Sequence, residues 1–409
     1  MRRVLSQWCI FLLLIWAIFL LPAPDLWGKD PARERVEDFI RRGVEKGLNL
    51  DDPGALAELM KAVEADREKP VGYAYLAMAH LFFYETAFSE GEKKKHESSM
   101  LRAVEDTQSR ADTQLGKDPK NAEACFALAI SRMVKNRWEI LRKNYFRAFR
   151  EAQGVWDLLE RTQELDPQNF DVYYPMGVLH YHLAQLSGIA RWVTSLFITS
   201  GDREKGLKEF ETAHEKGRIM KDLAASSLVS AYSGYEKQPA RALPLAKMLK
   251  EKYPDNYNFS FALINILSDL GRFDEAGAIA REIGNEIKAA RPPYRPELWP
   301  RYYQSLGKIA LDQGDYDKAE EYLRQALKDT APYNARVRAH ALVRLGMIQD
   351  ARKDRKSAED YYRKALEVEG AEGTAQRLAR EYLEVPYSPK VRERPEIISP
   401  DSIQNQQKR

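Results

Sequence analysis

Apolar residues recur at spacings of three and four along most of the chain, which is the period of an α-helix with one buried face. The most regular example is a stripe in the N-terminal half: Trp138, Leu141, Tyr145, Phe149, Ala152, Trp156 and Leu159. It predicts one helix of about thirty residues. No convincing strand pattern is present, so the sequence predicts an all-α fold from about residue 31 to about residue 384.

Small residues return at fixed offsets, which indicates a repeated structural unit. Gly307 and Gly346 lie 39 positions apart, and Ala242 and Ala276 lie 34 positions apart. Glycine and alanine allow two antiparallel helices to approach closely, while larger residues fill the seam between successive pairs. A chain built in this way grows by stacking helix pairs rather than by enlarging one core.

Turn sequences mark where helices end and restart. Asp118-Pro119-Lys120-Asn121 and Asp166-Pro167-Gln168-Asn169 each combine a proline, which stops a helix, with an asparagine suited to start the next one. Such boundaries predict about eight helix pairs, starting near residues 31, 70, 121, 170, 221, 257, 297 and 333, and a closing helix over about 371–384. The predicted fold is a superhelical solenoid of antiparallel helix pairs.

The repeat pattern resembles the tetratricopeptide repeat, a family of helix pairs with a 34-residue period. The resemblance is clearest over residues 299–369. It is weaker over 221–288, where Ser260 replaces the usual aromatic residue and Ile264 the usual glycine. It implies a concave surface, lined by the first helix of each pair, on which other proteins are held.

The N-terminus has the features of an export signal. Arg2 and Arg3 precede an apolar run from Val4 to Leu21, and the breaker Pro22-Ala23-Pro24 follows. The run fits a cleaved signal peptide, and it is also nearly long enough to cross a bilayer as a retained anchor. In both cases we expect the bulk of the chain outside the inner membrane, in the periplasm or another extracytoplasmic space. The chain is thus similar to exported bacterial proteins with tetratricopeptide repeats.

Composition divides the chain into four segments. Residues 1–28 are the signal peptide or anchor, 29–290 the N-terminal helical repeats with long helices, 291–384 the C-terminal repeats with the closing helix, and 385–409 a disordered tail. Prolines between residues 292 and 300 mark the boundary between the two repeat regions, and an insertion at 184–200 interrupts the first of them.

The charge balance and the reactive residues disfavour several classes of function. The chain has 64 Lys and Arg against 61 Asp and Glu, so no broad cationic field favours a nucleic-acid partner. Cys9 and Cys125 form no zinc, haem or redox motif, and His180 and His182 are placed on different faces of a helix. Phosphate-binding loops and serine-nucleophile motifs are absent. The sequence therefore predicts no cofactor, no metal site and no enzyme.

The resemblance also implies which residues face the concave groove. Counting along the repeats places seven residues there: Phe261, Asn265, Arg301, Lys308, His340, Arg344 and Met347. Arg301, Lys308 and Arg344 are expected to be largely exposed, and they favour an extended acidic peptide or a C-terminal carboxylate as the partner. Some family members clamp such a carboxylate with five Lys, Asn and Arg residues, of which only Asn265 and Arg344 are matched here.

The insertion has two interpretations. Trp192, Leu196 and Phe197 belong to a strongly apolar stretch that the repeat does not require. It either folds back over the ends of neighbouring helices or forms an exposed docking or membrane-surface element.

Three functions are compatible with the sequence. The main hypothesis is a non-enzymatic scaffold for protein–protein interaction in the bacterial cell envelope, with a protein or peptide partner. The alternative is a periplasmic accessory subunit of a solute transporter or a polysaccharide export system, which needs a ligand-sized pocket. The third is an enzyme whose site is assembled across repeats, which needs a polar pocket with perturbed ionisable groups.

Overall fold

The computed structural model describes residues 31–185, 201–371 and 373–389, and within these ranges every regular element is helical. No helix in these ranges is both long and apolar enough to cross a membrane. Three predicted segments lie outside the described residues: the export segment, the insertion with Trp192, Leu196 and Phe197, and most of the tail.

Antiparallel helix pairs stack along the chain. The first four are α1 (Pro31–Leu48) with α2 (Asp52–Ala65), α3 (Val71–Thr86) with α4 (Glu90–Lys117), α5 (Ala122–Leu141) with α6 (Tyr145–Ala152) and α7 (Val155–Leu165), and α8 (Tyr173–Leu183) with α9 (Arg203–Lys216). The next four are α10 (Lys221–Ser230) with α11 (Pro239–Lys252), α12 (Tyr257–Asp269) with α13 (Phe273–Ala289), α14 (Trp299–Gln313) with α15 (Tyr316–Ala326), and α16 (Ala335–Ala351) with α17 (Arg355–Glu367).

A last helix, α18 (Thr374–Glu384), packs against α16 and α17 and closes the stack. Short 3₁₀ turns precede α8, α14 and α16, and a π-helical turn, Ala231–Tyr235, extends α10. The prediction of an all-α solenoid of helix pairs with a closing helix is confirmed. The division into segments at residues 290 and 384 stays a prediction.

Local sequence explains where the helices begin. In the first proline turn, Asp118 accepts a hydrogen bond from the Lys120 backbone, and Asn121 caps α5 by accepting one from the N–H of Ala124. Four other helices start at an aspartate that caps them in the same way: Asp51 for α2, Asp202 for α9, Asp315 for α15 and Asp354 for α17. Each cap satisfies a backbone donor that the helix itself leaves unpaired.

The long helix predicted from the stripe between Trp138 and Leu159 is wrong. The chain turns at Lys143, which has a φ of 59°, and again at Gly154, which has a φ of 74°. Asn136 donates a hydrogen bond to the Ala148 carbonyl at 2.6 Å, which holds α6 against α5. The spacing continues across the turns because α6 and α7 fold back on α5, so periodicity alone did not reveal the breaks.

Glycines bring the two helices of a pair together. A Cβ at Gly307 would lie 2.6 Å from Leu323 Cγ, and one at Gly346 would lie 2.4 Å from Tyr362 Cε1. Both distances are shorter than any normal van der Waals contact. The small residues read in the sequence therefore occupy the closest points of approach between the helices of a pair.

A buried carboxylate links α8 to α10. Asp171, in the turn before α8, is buried, and it accepts hydrogen bonds from the backbone N–H groups of Arg218, Ile219 and Met220. These groups lie at the start of α10, where helical donors lack partners. The carboxylate thus fixes the fifth pair against the fourth.

The superhelix curves until early pairs contact late ones. Asn49 and Asp255, which are 206 positions apart, exchange hydrogen bonds of 2.9 and 3.1 Å. Asn256 also donates to the Leu48 carbonyl at 2.6 Å. The turn after α1 is therefore joined to the turn before α12.

A second contact between distant helix pairs is aromatic. Phe88, between α3 and α4, meets Tyr333 edge-on at 5.3 Å between ring centroids. Arg295 lies over the Phe88 ring at 4.8 Å and pairs with Glu92 at 3.3 Å. These contacts join the second helix pair to the turns before α14 and α16.

Candidate functional site

Polar side chains converge on the row of first helices α12, α14 and α16, which pack side by side, with α18 at the end of the row. We call these residues the inner polar cluster: Asn258, Asn265, Asp269, Arg301, Gln304, Lys308, Asp312, His340, Arg344 and Tyr382. The cluster contains five of the seven residues predicted for the groove.

Lys308 is a buried structural charge. It donates hydrogen bonds to Asp269 at 2.6 Å and Asp312 at 2.7 Å, and Asp312 also accepts one from Ser268. Burial raises the pKa of Asp312, but the Lys308 charge and the hydrogen bonds from Lys308 and Ser268 together outweigh burial, so the pKa is lowered. The expectation that Lys308 is an exposed groove cation is wrong, because two carboxylates on α12 and α14 hold its ammonium group.

Arg301 lies in a desolvated position against the same helices. Its Nη1 donates to Asn258 Oδ1 at 2.5 Å, and its guanidinium covers the Phe261 ring at 4.4 Å. Burial lowers its pKa to about 10. Within the described ranges no carboxylate lies within 4.0 Å of it. Phe261 is fully buried, so its expected contact with a partner is wrong, and the ring instead supports Arg301.

Arg344 is also desolvated. Burial lowers its pKa to about 10, while the more distant charges of Asp312 and Asp269 oppose the shift. When the Gln304 amide oxygen faces Arg344, it accepts a hydrogen bond from Nη2 at 3.2 Å. Among the described residues, no carboxylate forms an ion pair with this guanidinium either.

His340 is held neutral between these cations. Burial lowers its pKa to about 3, and the charges of Arg344, Lys308 and Arg301 act in the same direction. Asn265, on the neighbouring helix, has a buried Oδ1 with no hydrogen-bond partner in the described parts of the chain. Met347 is partly buried and packs against the apolar cores of the last two pairs, so it lies outside the polar cluster.

This arrangement is suited to binding an anion. Two guanidinium groups have lost water without gaining a carboxylate among the described residues, and guanidinium is the group that best matches a carboxylate in two parallel hydrogen bonds. Neutral His340 can donate or accept one further bond. A group of three or more His, Cys, Asp or Glu residues placed to hold a metal ion is not found in the described ranges.

Part of the chain is similar to a known repeat family. Residues 301–368 match the tetratricopeptide repeat family. The match spans α14 to α17, and it supports the resemblance over these two helix pairs. No curated protein matches the sequence.

Solved structures with similar architecture include yeast Tom70, with 14% identity, a TM-score of 0.38, and coverage of 87% of this chain and 82% of that one. A human IFIT1 dimer with PPP-AAAA has 15% identity, a TM-score of 0.43, and coverage of 87% and 86%. The P58(IPK) TPR domain has 12% identity, a TM-score of 0.23, and coverage of 85% and 97%.

The first helices of earlier pairs also carry polar residues, which the sequence analysis did not assign to the groove. Arg137 on α5 forms two hydrogen bonds with Glu85 on α3, of 2.9 and 2.7 Å. His182, at the end of α8, is exposed, yet nearby protein atoms and then the Arg137 charge lower its pKa. The repeats before residue 221 are irregular, so groove positions could not be counted there. The sequence clue that could have identified Arg137 and His182 is that both lie near the C-terminal end of the first helix of their pair.

Three other histidines, His80, His96 and His180, are buried and serve packing. His180 is buried, with Nδ1 at 2.7 Å from Glu209, and Trp156 packs edge-on against its ring. His80 and His96 place their Nδ1 atoms 3.1 Å apart in the second pair. Burial, and then His96, lowers the pKa of His80 to about 4.

Proposed function

We propose that this protein is a non-enzymatic scaffold that holds other proteins on the inner polar cluster, by binding an extended acidic segment or a C-terminal carboxylate. The carrying observation is the pair Arg301 and Arg344, two partly buried guanidinium groups with lowered pKa values and no ion pair to a carboxylate among the described residues. The tetratricopeptide match over residues 301–368 supports a protein-binding role.

The physical basis is the hydration that burial has removed. A partner carboxylate would replace the lost water with charged hydrogen bonds, each contributing about 1.5–3 kcal/mol. This is more than the few tenths to one kcal/mol expected of exposed pairs.

We also propose that the scaffold works in the bacterial cell envelope, outside the inner membrane. The support is the sequence of residues 2–24, with two arginines, an apolar run and a proline breaker. A reporter fused to the C-terminus should be active in the periplasm. Activity restricted to the cytoplasm would contradict the location while leaving the binding role open.

The binding role is tested with the full chain carrying Arg301→Gln and Arg344→Gln. Affinity of a labelled acidic octapeptide, measured by fluorescence anisotropy, should fall at least about tenfold, because charged hydrogen bonds are lost. Lys308 is left unchanged, since its loss would remove a hydrogen-bond donor to both Asp269 and Asp312.

The matched control replaces two exposed arginines outside the cluster, Arg67→Gln and Arg380→Gln, which changes the net charge equally. It should keep the affinity of the unmodified protein. Equal binding by both double variants would exclude the inner polar cluster as the binding face. Affinity capture with the unmodified chain, read by mass spectrometry, then identifies partners that the cluster variant fails to retain.

A further inference from the structure

The end of α5, the turn after it and most of α6 have an unusual composition. Residues 140–150 contain four cations, Arg142, Lys143, Arg147 and Arg150, and no acidic residue. The whole chain is almost balanced in charge, so this stretch is a local concentration of positive charge. We call residues 140–150 the basic aromatic turn.

Four large apolar side chains in the basic aromatic turn are exposed. Ile140 is 39% exposed, Leu141 36%, Tyr145 66% and Phe146 78%. Only Met60 and Val385 join them as exposed large hydrophobic residues in the described parts of the chain. Scattered single residues of this kind are ordinary, whereas four within seven positions form a patch.

The fold does not require these side chains. The buried face of α6 consists of Ala148 and Ala152, and Asn136 secures the helix through the Ala148 carbonyl. Tyr145 and Phe146, in the first turn of α6, keep most of their surface exposed. The energetic penalty of exposing two aromatic rings to water is therefore not offset by contacts within the described structure.

The cations are available to different degrees. Arg142 pairs with Glu97 and lies over the Trp138 ring at 5.0 Å, and Lys143 pairs with Glu369. Arg147 and Arg150 are exposed and form no ion pair with any described residue. At least two positive charges thus flank the exposed rings without a neutralising partner in these ranges.

We propose that the basic aromatic turn docks onto the surface of a bilayer that contains anionic lipids. Tyrosine and phenylalanine rings are suited to the boundary between head groups and acyl chains, while arginine reaches the lipid phosphates above them. Each arginine near an anionic surface strengthens binding about fivefold. The apolar run from Val4 to Leu21 independently suggests that the chain meets a membrane.

A chain segment is the main rival occupant. Trp156 at the start of α7 contacts His180 on α8 at 4.6 Å and Lys205 on α9 at 5.4 Å. The start of α7 therefore lies close to α8 and α9, the two helices that residues 186–200 connect in the sequence. An acidic surface of another protein is the second rival. The proposal commits to lipid because the apolar patch and the unneutralised cations occur together.

The experiment uses the full chain with Cys9→Ser and Phe146→Cys, labelled with an apolar, environment-sensitive dye that replaces the ring. Cys125 is fully buried and should not react. Dye emission should shift to the blue with vesicles containing about 30 mol% phosphatidylserine, and remain unchanged with phosphatidylcholine alone. A dye at exposed Glu215→Cys is the positional control and should not respond.

The labelled chain with Arg147→Gln and Arg150→Gln should need about 25-fold more anionic lipid for the same shift, or about fivefold per cation. Three results would overturn the proposal. The first is the absence of a shift with anionic vesicles. The second is a dye that is shielded from aqueous iodide without lipid, which would indicate that residues 186–200 are the occupant. The third is an equal shift with polyglutamate, which would indicate an acidic protein as the partner.

Discussion

At the scale of single residues, His340 shows how the inner polar cluster sets protonation. Burial is the main cause of its lowered pKa, and the positive charges of Arg344, Lys308, Arg301 and Arg336 add to the effect. The side chain therefore stays neutral at any ordinary pH in the folded protein. In the unfolded chain it should regain a pKa near 6.5.

This difference makes stability depend on pH. The folded-state pKa, about 3, lies below the unfolded value. Between the two values the unfolded chain binds a proton that the folded protein rejects, so the contribution is complete above about pH 6.5 and declines as pH falls. His340→Gln should remove it, making the variant relatively more stable by about 1–2 kcal/mol at pH 5 than at pH 7. Urea unfolding at both pH values measures this. If the free energy of unfolding falls equally between pH 7 and pH 5 in the unmodified protein and in the variant, His340 accepts a proton in the folded protein.

At the scale of elements, close helix pairing depends on positions where no side chain fits. A Cβ at Gly206 on α9 would lie 2.7 Å from the Tyr181 backbone nitrogen on α8, and a backbone atom cannot rotate away. Gly116, near the end of α4, has no atom within 4 Å of such a Cβ. The two helical glycines differ mainly in this contact.

Gly206→Ala should therefore lower the free energy of unfolding by about 1–3 kcal/mol through overpacking, even though alanine favours a helix. Gly116→Ala should raise it by about 0.5–1 kcal/mol, because only the backbone preference changes. Denaturant titrations of both variants test the comparison. Stabilisation by both substitutions would show that α8 and α9 are farther apart than described.

At the scale of the whole molecule, contacts between distant pairs set the curvature of the solenoid. Stacked repeats normally contact only their neighbours, which leaves the superhelix open to bending. Here Phe88, Tyr333, Arg295 and Glu92 link the second pair to the turns before α14 and α16. These contacts should keep the concave side narrow and make unfolding more cooperative.

Phe88→Ala removes an aromatic pair and a cation–π contact, which together contribute about 1–2 kcal/mol. The radius of gyration from small-angle X-ray scattering should rise, and the unfolding transition should broaden. Phe170→Ala is the control, since Phe170 stacks on the nearby Tyr173 and contacts Lys216. It should lower stability without expanding the molecule. Unchanged scattering from the Phe88 variant would show that closure does not depend on this contact.

The sequence by itself determined the helices, most of their limits and their pairing. Caps such as Asn121 and the proline turns act within a few residues, and small residues such as Gly307 mark the close approaches, so these features are written locally. Tertiary structure alone decided that Asp269 neutralises Lys308, that Arg301 covers Phe261, and that the stripe after Trp138 is broken. Each of these outcomes depends on residues that the fold, rather than the local sequence, brings into contact, and repeat periodicity carries no information about such contacts.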